Sequence, residues 1–381
     1  MWNIEPGVTY LNHGSFGPTP EPVQRVQADW TKKLAEQPMR FLVLETEALL
    51  DKTCRRLGQF LGCRAGNLLL TDNSTFGMNF VAHSFPLNAG DEVLLTDHEY
   101  GAVRRTWNQK ARETDARVVT QAVDPAQTSD ELVEQLFAGV THRTRLLVVS
   151  HVTSPTAIVL PVKAICQRAR QLGIPVCIDG PHAVAMRALD LKEIGCDFYT
   201  ASCHKWLSAP IGTGFLYVHS RWQPLMKNPI VSWGGSISGR DAHWKDEFRW
   251  LGTRDPAGML SIPAAIQLLE THGLERFRSE THALAQYARE QIQSLTGLPA
   301  LVDDTRDLYG SMIAMPVPQP PDWEPATHGR ADPLMLQLRE RYRIEAPVFG
   351  WDNQRLLRVS CHLYNTRDDI DRLVSALRQL L

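Results

Sequence analysis

Between residues 20 and 62, PEPVQRVQADWTKKLAEQPMRFLVLETEALLDKTCRRLGQFLG carries apolar residues at helical spacing, with no strong breaker after Pro38, and the spacing predicts two helices. Beyond Gly62 the period changes. Short apolar and β-branched runs, NLLLT, EVLLTD, ARVVTQAV, TRLLVVSHV, IPVCIDG, CDFYTASC and GTGFLYV, alternate with helical patterns such as STFGMNFVAHSF and LPVKAICQRARQLG. That alternation predicts an α/β fold with a mainly parallel sheet covered on both faces. Sheets of this kind hold ligands at the carboxyl ends of their strands. From about residue 256 the pattern becomes one long helix, AAIQLLETHGLERFRSETHALAQYAREQIQSL, followed by strands in SMIAMPVP and LLRVSCHLY. The tail TRDDIDRLVSALRQLL has Thr366 and Asp369 at capping-box spacing and an apolar stripe, which predicts a packed terminal helix. The reading is a large domain over residues 18–255 and a smaller α+β domain over 256–381. The proline-rich stretch PVPQPPDWEPATHGRADP reads as an exposed loop.

Composition narrows the partners more than the fold. The chain has 381 residues, 43% hydrophobic and 22% charged, enough for a large core. Its net charge of -2, with lysine and arginine unclustered, favours neither a nucleic acid nor an anionic membrane and leaves a small molecule as the expected partner. No basic-then-apolar leader opens the sequence and no window approaches the roughly 20 apolar residues of a membrane span, so a cytoplasmic protein is expected. Seven cysteines without a C-x-x-C pair read as reduced thiols.

The dinucleotide, P-loop, zincin and nucleophile-elbow motifs are all missing. What remains is polar residues placed just after strands. LLLTDNSTFGMNF gives a strand, then Ser74 and Thr75 at the start of a helix, where hydroxyls, N–H groups and the macrodipole suit a phosphate; a plain N-cap at Ser74 is the other reading. VVSHVTSPTAIV places Thr153 and Ser154 after another strand, VCIDGPHA places Asp179 and His182, and YTASCHKW places Ser202, His204 and Lys205. An aspartate after one strand, a lysine after the next and a phosphate-type turn upstream resemble a pyridoxal 5′-phosphate site.

The order of YLNHGSFGPTP, DNSTFGMN, DHEYGAV, SHVTSPTA, DGPHA, SCHKW, LGTRD and LRVSCHLYNTRDDIDRL resembles the class V branch of the aminotransferase superfamily, within it most of all the isopenicillin N epimerase group. The resemblance spans nearly the whole chain. It implies the fold type I architecture, a seven-stranded sheet plus the small domain, with residues 1–17 packing near the active site. It also implies that Lys205 forms the Schiff base with the cofactor and then serves as base at the substrate α-carbon. Asp179 would keep the pyridinium nitrogen protonated. His182, with Thr153 or Ser154, would contact the ring hydroxyl, and Ser74, Thr75, Ser202 and His204 would hold the phosphate. Tyr100, with His98 as rival, would stack on the ring, Arg358 would clamp the substrate carboxylate, and Asn12 and His13 would line the substrate mouth. Thr253 would reach the phosphate of a neighbouring subunit, which implies a homodimer.

The stretch YRIEAPVFGWDNQRLLR before Arg358 lacks the mobile cysteine of a cysteine desulfurase, so persulfide transfer is not expected. The expected reaction is a C–S or other β-elimination through the α-carbanion of an amino acid. The alternative is epimerisation, which needs a second acid opposite Lys205 from among His13, His98 and Tyr100. A transaminase outcome stays open, and the intact Asp179, Lys205 and Arg358 argue against a non-catalytic binding protein. Trp233, His243, Trp244 and Trp250 could enclose a substrate side chain or form subunit-interface core.

Overall fold

In the computed structural model, which describes residues 1–325 and 330–381, all seven apolar runs between residues 68 and 218 are strands of one sheet. The chain's strands are β1 (Thr9–Tyr10), β2 (Leu68–Thr71), β3 (Glu92–Thr96), β4 (Arg117–Gln121), β5 (Thr144–Ser150), β6 (Val176–Asp179), β7 (Phe198–Ser202), β8 (Gly214–Val218), β9 (Met312–Pro316), β10 (Ile344–Glu345), β11 (Val348–Trp351) and β12 (Gln354–Ser360). The large sheet has the order β2-β8-β7-β6-β5-β3-β4, and every strand is parallel except β8, which runs against both neighbours. Continuous apolar runs are what a sheet covered on both faces requires. Along β5, Leu146 and Val148 enter one core while Leu147 and Val149 enter the other.

The C-terminal unit is an antiparallel sheet, β11-β12-β9, packed against the helices Leu274–Thr296 and Arg367–Leu380. Its own core gathers Ile292, Ile313, Leu357 and Leu373, together with Leu11 from the N-terminus. That N-terminal segment pairs β1 in parallel with β10 and bridges Asn12 to Ser360, which delivers residues 14–16 to the ends of the large sheet's strands. The terminal helix is capped as expected, with the Thr366 N–H donating to Asp369 Oδ2 at 2.9 Å.

Three details differ from the sequence reading. The single helix expected after residue 262 is two, Ile262–His272 and Leu274–Thr296, because Gly273 adopts φ +94° and breaks the ladder. The short strands β1, β10 and β11 were not expected; β11 contains Gly350 and follows Pro347, which hide its pattern. Of the proline-rich loop, Pro318–Pro325 is mostly exposed, and residues 326–329 lie outside the described residues. Among the described residues no helix is long and apolar enough to cross a membrane.

Candidate active site

Ser150, Asp179 and Ser202 end β5, β6 and β7, and with the loops beyond them they line a cavity of about 330 Å³. The helix Ser74–Ser84 points its N-terminus into this cavity. Asn73, not Ser74, is its cap, its Oδ1 accepting the Phe76 N–H at 3.1 Å. Ser74 is thereby free for other partners: its N–H donates to Ser202 Oγ at 3.0 Å and its own Oγ lies 3.3 Å from the same hydroxyl. The helix can lie this close because Gly77 has no Cβ; one would come within 2.3 Å of Thr200 Oγ1, the hydroxyl that donates to Ser74 O at 2.9 Å. Ser74, Thr75, Ser202 and His204 therefore meet at the positive end of a helix, a setting suited to a phosphate.

Lys205 stands beside this cup with Nζ 3.3 Å from His182 Nε2. The state of that pair follows from Trp206, whose indole N–H donates to His182 Nδ1 at 3.3 Å. Indole nitrogen only donates, so Nδ1 must be the unprotonated nitrogen. Burial, reinforced by the Lys205 and Arg358 charges, holds the imidazole neutral by pushing its pKa well below the usual range. Its proton is consequently on Nε2, aimed at Lys205, and only a neutral amine can accept it. Lys205 is suited to that state, because burial and the charge of Arg358 push its pKa down to about 7, against the opposing pull of Asp179. The arrangement presents an amine nucleophile near neutral pH.

Asp179 is 4% exposed and its carboxyl group takes no hydrogen bond among the described residues, although it lines the cavity. Burial and the neighbouring Glu99 raise its pKa to about 7, with Lys205 opposing. A buried carboxyl without a partner is the setting for a cationic N–H donor. On the opposite wall, Arg358 of β12 is 1% exposed. Its Nη1 donates to Ser154 O at 2.8 Å and its Nη2 to Ser15 Oγ at 2.7 Å, while Asn12 Oδ1 lies 3.4 Å from Nη2. Nε is buried with no partner among the described residues, and the guanidinium stacks on Phe349 at 5.0 Å. It can still receive a carboxylate.

The remaining expected residues are distributed differently. Tyr100, half exposed, lines the cavity, whereas His98 turns away to stack on Trp351 at 4.5 Å, with Nε2 donating to Val123 O and Nδ1 accepting from Thr156 Oγ1. His13 lies beneath the lysine loop: Nε2–H donates to Lys205 O at 3.0 Å, Nδ1 accepts from Tyr364, and the ring stacks on His362 at 3.9 Å. Thr153 is fully buried, its hydroxyl bonded to Thr156 Oγ1 and to the Ile158 N–H, so Ser154 is the member of that pair on the cavity wall. Thr253, Trp233 and His243 are exposed and away from the cavity, and Trp244 and Trp250 are half-buried and also away from it. The sequence reading missed Ser15, Phe349, Glu99 and the role of Trp206. An acidic residue three positions after a buried strand, in TDHEY, and a tryptophan directly after the lysine were the available signals.

A class V aminotransferase family model matches residues 19–373, and the chain belongs to that family. It is 37% identical to an isopenicillin N epimerase of Amycolatopsis lactamdurans, over 99% of this chain and 96% of that protein. It is also 26% identical to a probable chloroplastic L-cysteine desulfhydrase of Arabidopsis thaliana, over 99% of this chain and 84% of that one. A solved complex between a cystine C–S lyase and its product cysteine persulfide shares the fold, with a TM-score of 0.83, 22% identity and 98% of both chains covered. The protein is a pyridoxal 5′-phosphate-dependent enzyme. The site fits that cofactor on its own terms: an anion cup at a helix N-terminus, a neutral lysine amine, an unpartnered buried carboxyl and a buried guanidinium with a free N–H.

Proposed function

We propose that the enzyme is a β-elimination lyase that cleaves a C–S bond in an L-amino acid of the cysteine type and works as a homodimer. The observation that carries this reading is the placement of the two candidate imidazole acids. His13 and His98 each have both ring nitrogens bonded to protein and neither lines the cavity. The two histidines that do line the cavity stand elsewhere, His182 beside Lys205 and His204 in the phosphate cup, so reprotonation from the opposite face is left without an imidazole, whereas elimination needs only the lysine.

When bound, pyridoxal 5′-phosphate supplies an aldehyde for the lysine amine and a protonated ring that draws electrons from the substrate α-carbon. Ser74, Thr75, Ser202 and His204 hold the phosphate, and Asp179 keeps the proton on the ring nitrogen. His182, with its Nε2–H fixed by Trp206, serves the ring hydroxyl. Arg358 orients the substrate through its carboxylate. Lys205 Nζ, neutral at the working pH, then takes the α-proton. None of the seven cysteines lines the cavity, and burial pushes the thiols of Cys203 and Cys361 well up, so the sulfur leaves as a free fragment and is not taken up by a protein thiolate.

Epimerisation is the second reading. The 37% identity to an isopenicillin N epimerase favours it, and Tyr100 is the cavity acid left to carry it. Tyr100→Phe separates the two. For a lyase, the variant still releases the sulfur fragment within about tenfold of the wild-type rate; loss of all turnover would favour the epimerase. The dimer is supported by exposed apolar residues in the segment before Thr253, where Val231 is 93% and Trp233 89% exposed, and by Ile211 beside the lysine loop.

A further inference from the structure

Behind the cavity wall, bonded to the lining residue Ser150, lies a second carboxyl group for which the chemistry above has no task. Glu99, in the loop between β3 and the helix Gly101–Thr114, is 2% exposed. Its Oε1 accepts from Thr96 Oγ1 at 2.7 Å and from the Ser150 N–H at 2.9 Å, and its Oε2 accepts from Ser150 Oγ at 2.7 Å. Among the described residues no cation pairs with it; Arg104 acts on it only from a distance. Ser150, which grips both oxygens, is the register partner of Asp179 on the neighbouring strand. The titratable groups that feel Glu99 from β6 are Asp179 and Cys177, and burial holds the Cys177 thiol neutral, so the carboxylate charge of Glu99 acts on Asp179.

We propose that Glu99 is a positioning residue for the cofactor ring: a buried negative charge behind Asp179 that strengthens the hold of Asp179 on a protonated ring nitrogen. Three donors favour the ionised form of Glu99, and burial beside a second carboxyl opposes it, so without a cation between them the pair retains one proton. A pyridinium N–H at Asp179 is the cation that lets both carboxyls ionise. The balance is simple: on cofactor binding the one proton retained by the two carboxyls would pass to the ring nitrogen held at Asp179, and no other proton would be taken up or released. This inference rests on Asp179 meeting the ring nitrogen and is independent of whether elimination or epimerisation follows. Burial fits this picture by raising the Glu99 pKa to about 7 against the lowering effect of the Ser150 and Thr96 hydrogen bonds.

Glu99→Gln tests it, because the amide oxygen can still accept from Thr96 while the amide N–H donates to Ser150 Oγ. In the cofactor-free variant, infrared titration of carbon-labelled aspartate should place the Asp179 carboxyl about one pH unit lower than in the wild type, and the loaded variant should bind its cofactor about tenfold more weakly. Nitrogen NMR of ring-labelled pyridoxal 5′-phosphate in the loaded protein should show the ring proton lost at lower pH, a readout that a merely structural role would not move. Unchanged titrations of both groups in a folded variant would overturn the proposal. Should Glu99→Gln fail to fold, Ser150→Ala removes one donor and should shift both titrations in the same direction by less; no shift there counts equally against it. Asp179→Asn tests the underlying placement separately. If it leaves cofactor affinity unchanged, the ring nitrogen is not at Asp179; if it weakens binding while Glu99→Gln changes nothing, only the role of Glu99 fails.

Discussion

Trp206 donates its indole N–H to His182 Nδ1 across 3.3 Å, and through that one bond it fixes which nitrogen of His182 faces Lys205. Trp206→Phe keeps most of the buried ring but frees Nδ1, so the imidazole proton can move there and leave a lone pair toward the lysine. An ammonium at Lys205 is then stabilised, and its pKa should rise by about one unit. The pH profile of cofactor condensation reports this as an alkaline shift, with turnover at pH 7 down by about tenfold. An unshifted profile would mean that the indole only packs.

Arg358 combines a fork geometry with a buried charge. Arg358→Lys retains the charge but loses the planar donor pair and the contacts to Ser15 and Ser154. At about 1.5–3 kcal/mol for a hydrogen bond to a charged group, KM for the amino acid should rise roughly 10- to 100-fold. The yellow colour of the lysine-bound cofactor should persist, because Arg358 takes no part in that linkage. Spectra and steady-state kinetics on one preparation check both halves.

Acid should destabilise the cofactor-free protein. Burial depresses the pKa of seven imidazoles, His13 and His151 to about 3, His204 to about 4, His182 and His362 well below the usual range, and His98 and His282 in the same direction. Each binds more protons unfolded than folded, so its contribution to stability is lost as pH falls from about 6.5 toward its folded value. Asp179 and Glu99, raised to about 7, act in the opposite sense between about 4 and 7, but they are two groups against seven. Tm should fall steadily from pH 7 to pH 5; a flat Tm across that range would contradict the neutral assignment of these histidines.

The proposed homodimer predicts that Val231→Glu combined with Trp233→Glu, placed on the two most exposed large apolar residues among the described residues, reduces the sedimenting mass from two chains to one. If Thr253 completes a neighbouring site, cofactor affinity should fall along with the mass. A dimer untouched by both changes would place the interface elsewhere.

Much of the site was legible because its residues sit in local units with a physical signature. Lys205, Asp179 and Ser74 each follow an apolar strand that the sheet buries on both faces, and the strand ends bring them together. Which face of a loop a side chain takes is set by contacts far along the chain, and there the sequence was silent. His13 is drawn under the lysine by Tyr364, 351 residues away, and His98 is buried away from the cavity against Trp351. Thr153 resembles a ligand in SHVTSPTA, but its hydroxyl closes the turn that contains it. Glu99 stayed hidden because its importance depends on the register of β5 against β6, which no local pattern shows.

The most direct test of the central claim follows the substrate α-carbon. The loaded enzyme is incubated in D2O with L-cysteine, cystine and S-conjugates of cysteine, and the products are read by mass spectrometry and keto-acid analysis. Pyruvate and ammonia formed together with a released sulfur fragment, and absent with Lys205→Ala, is the predicted result. Intact amino acid carrying α-deuterium in both enantiomers, without pyruvate, would contradict the lyase assignment and establish reprotonation in its place.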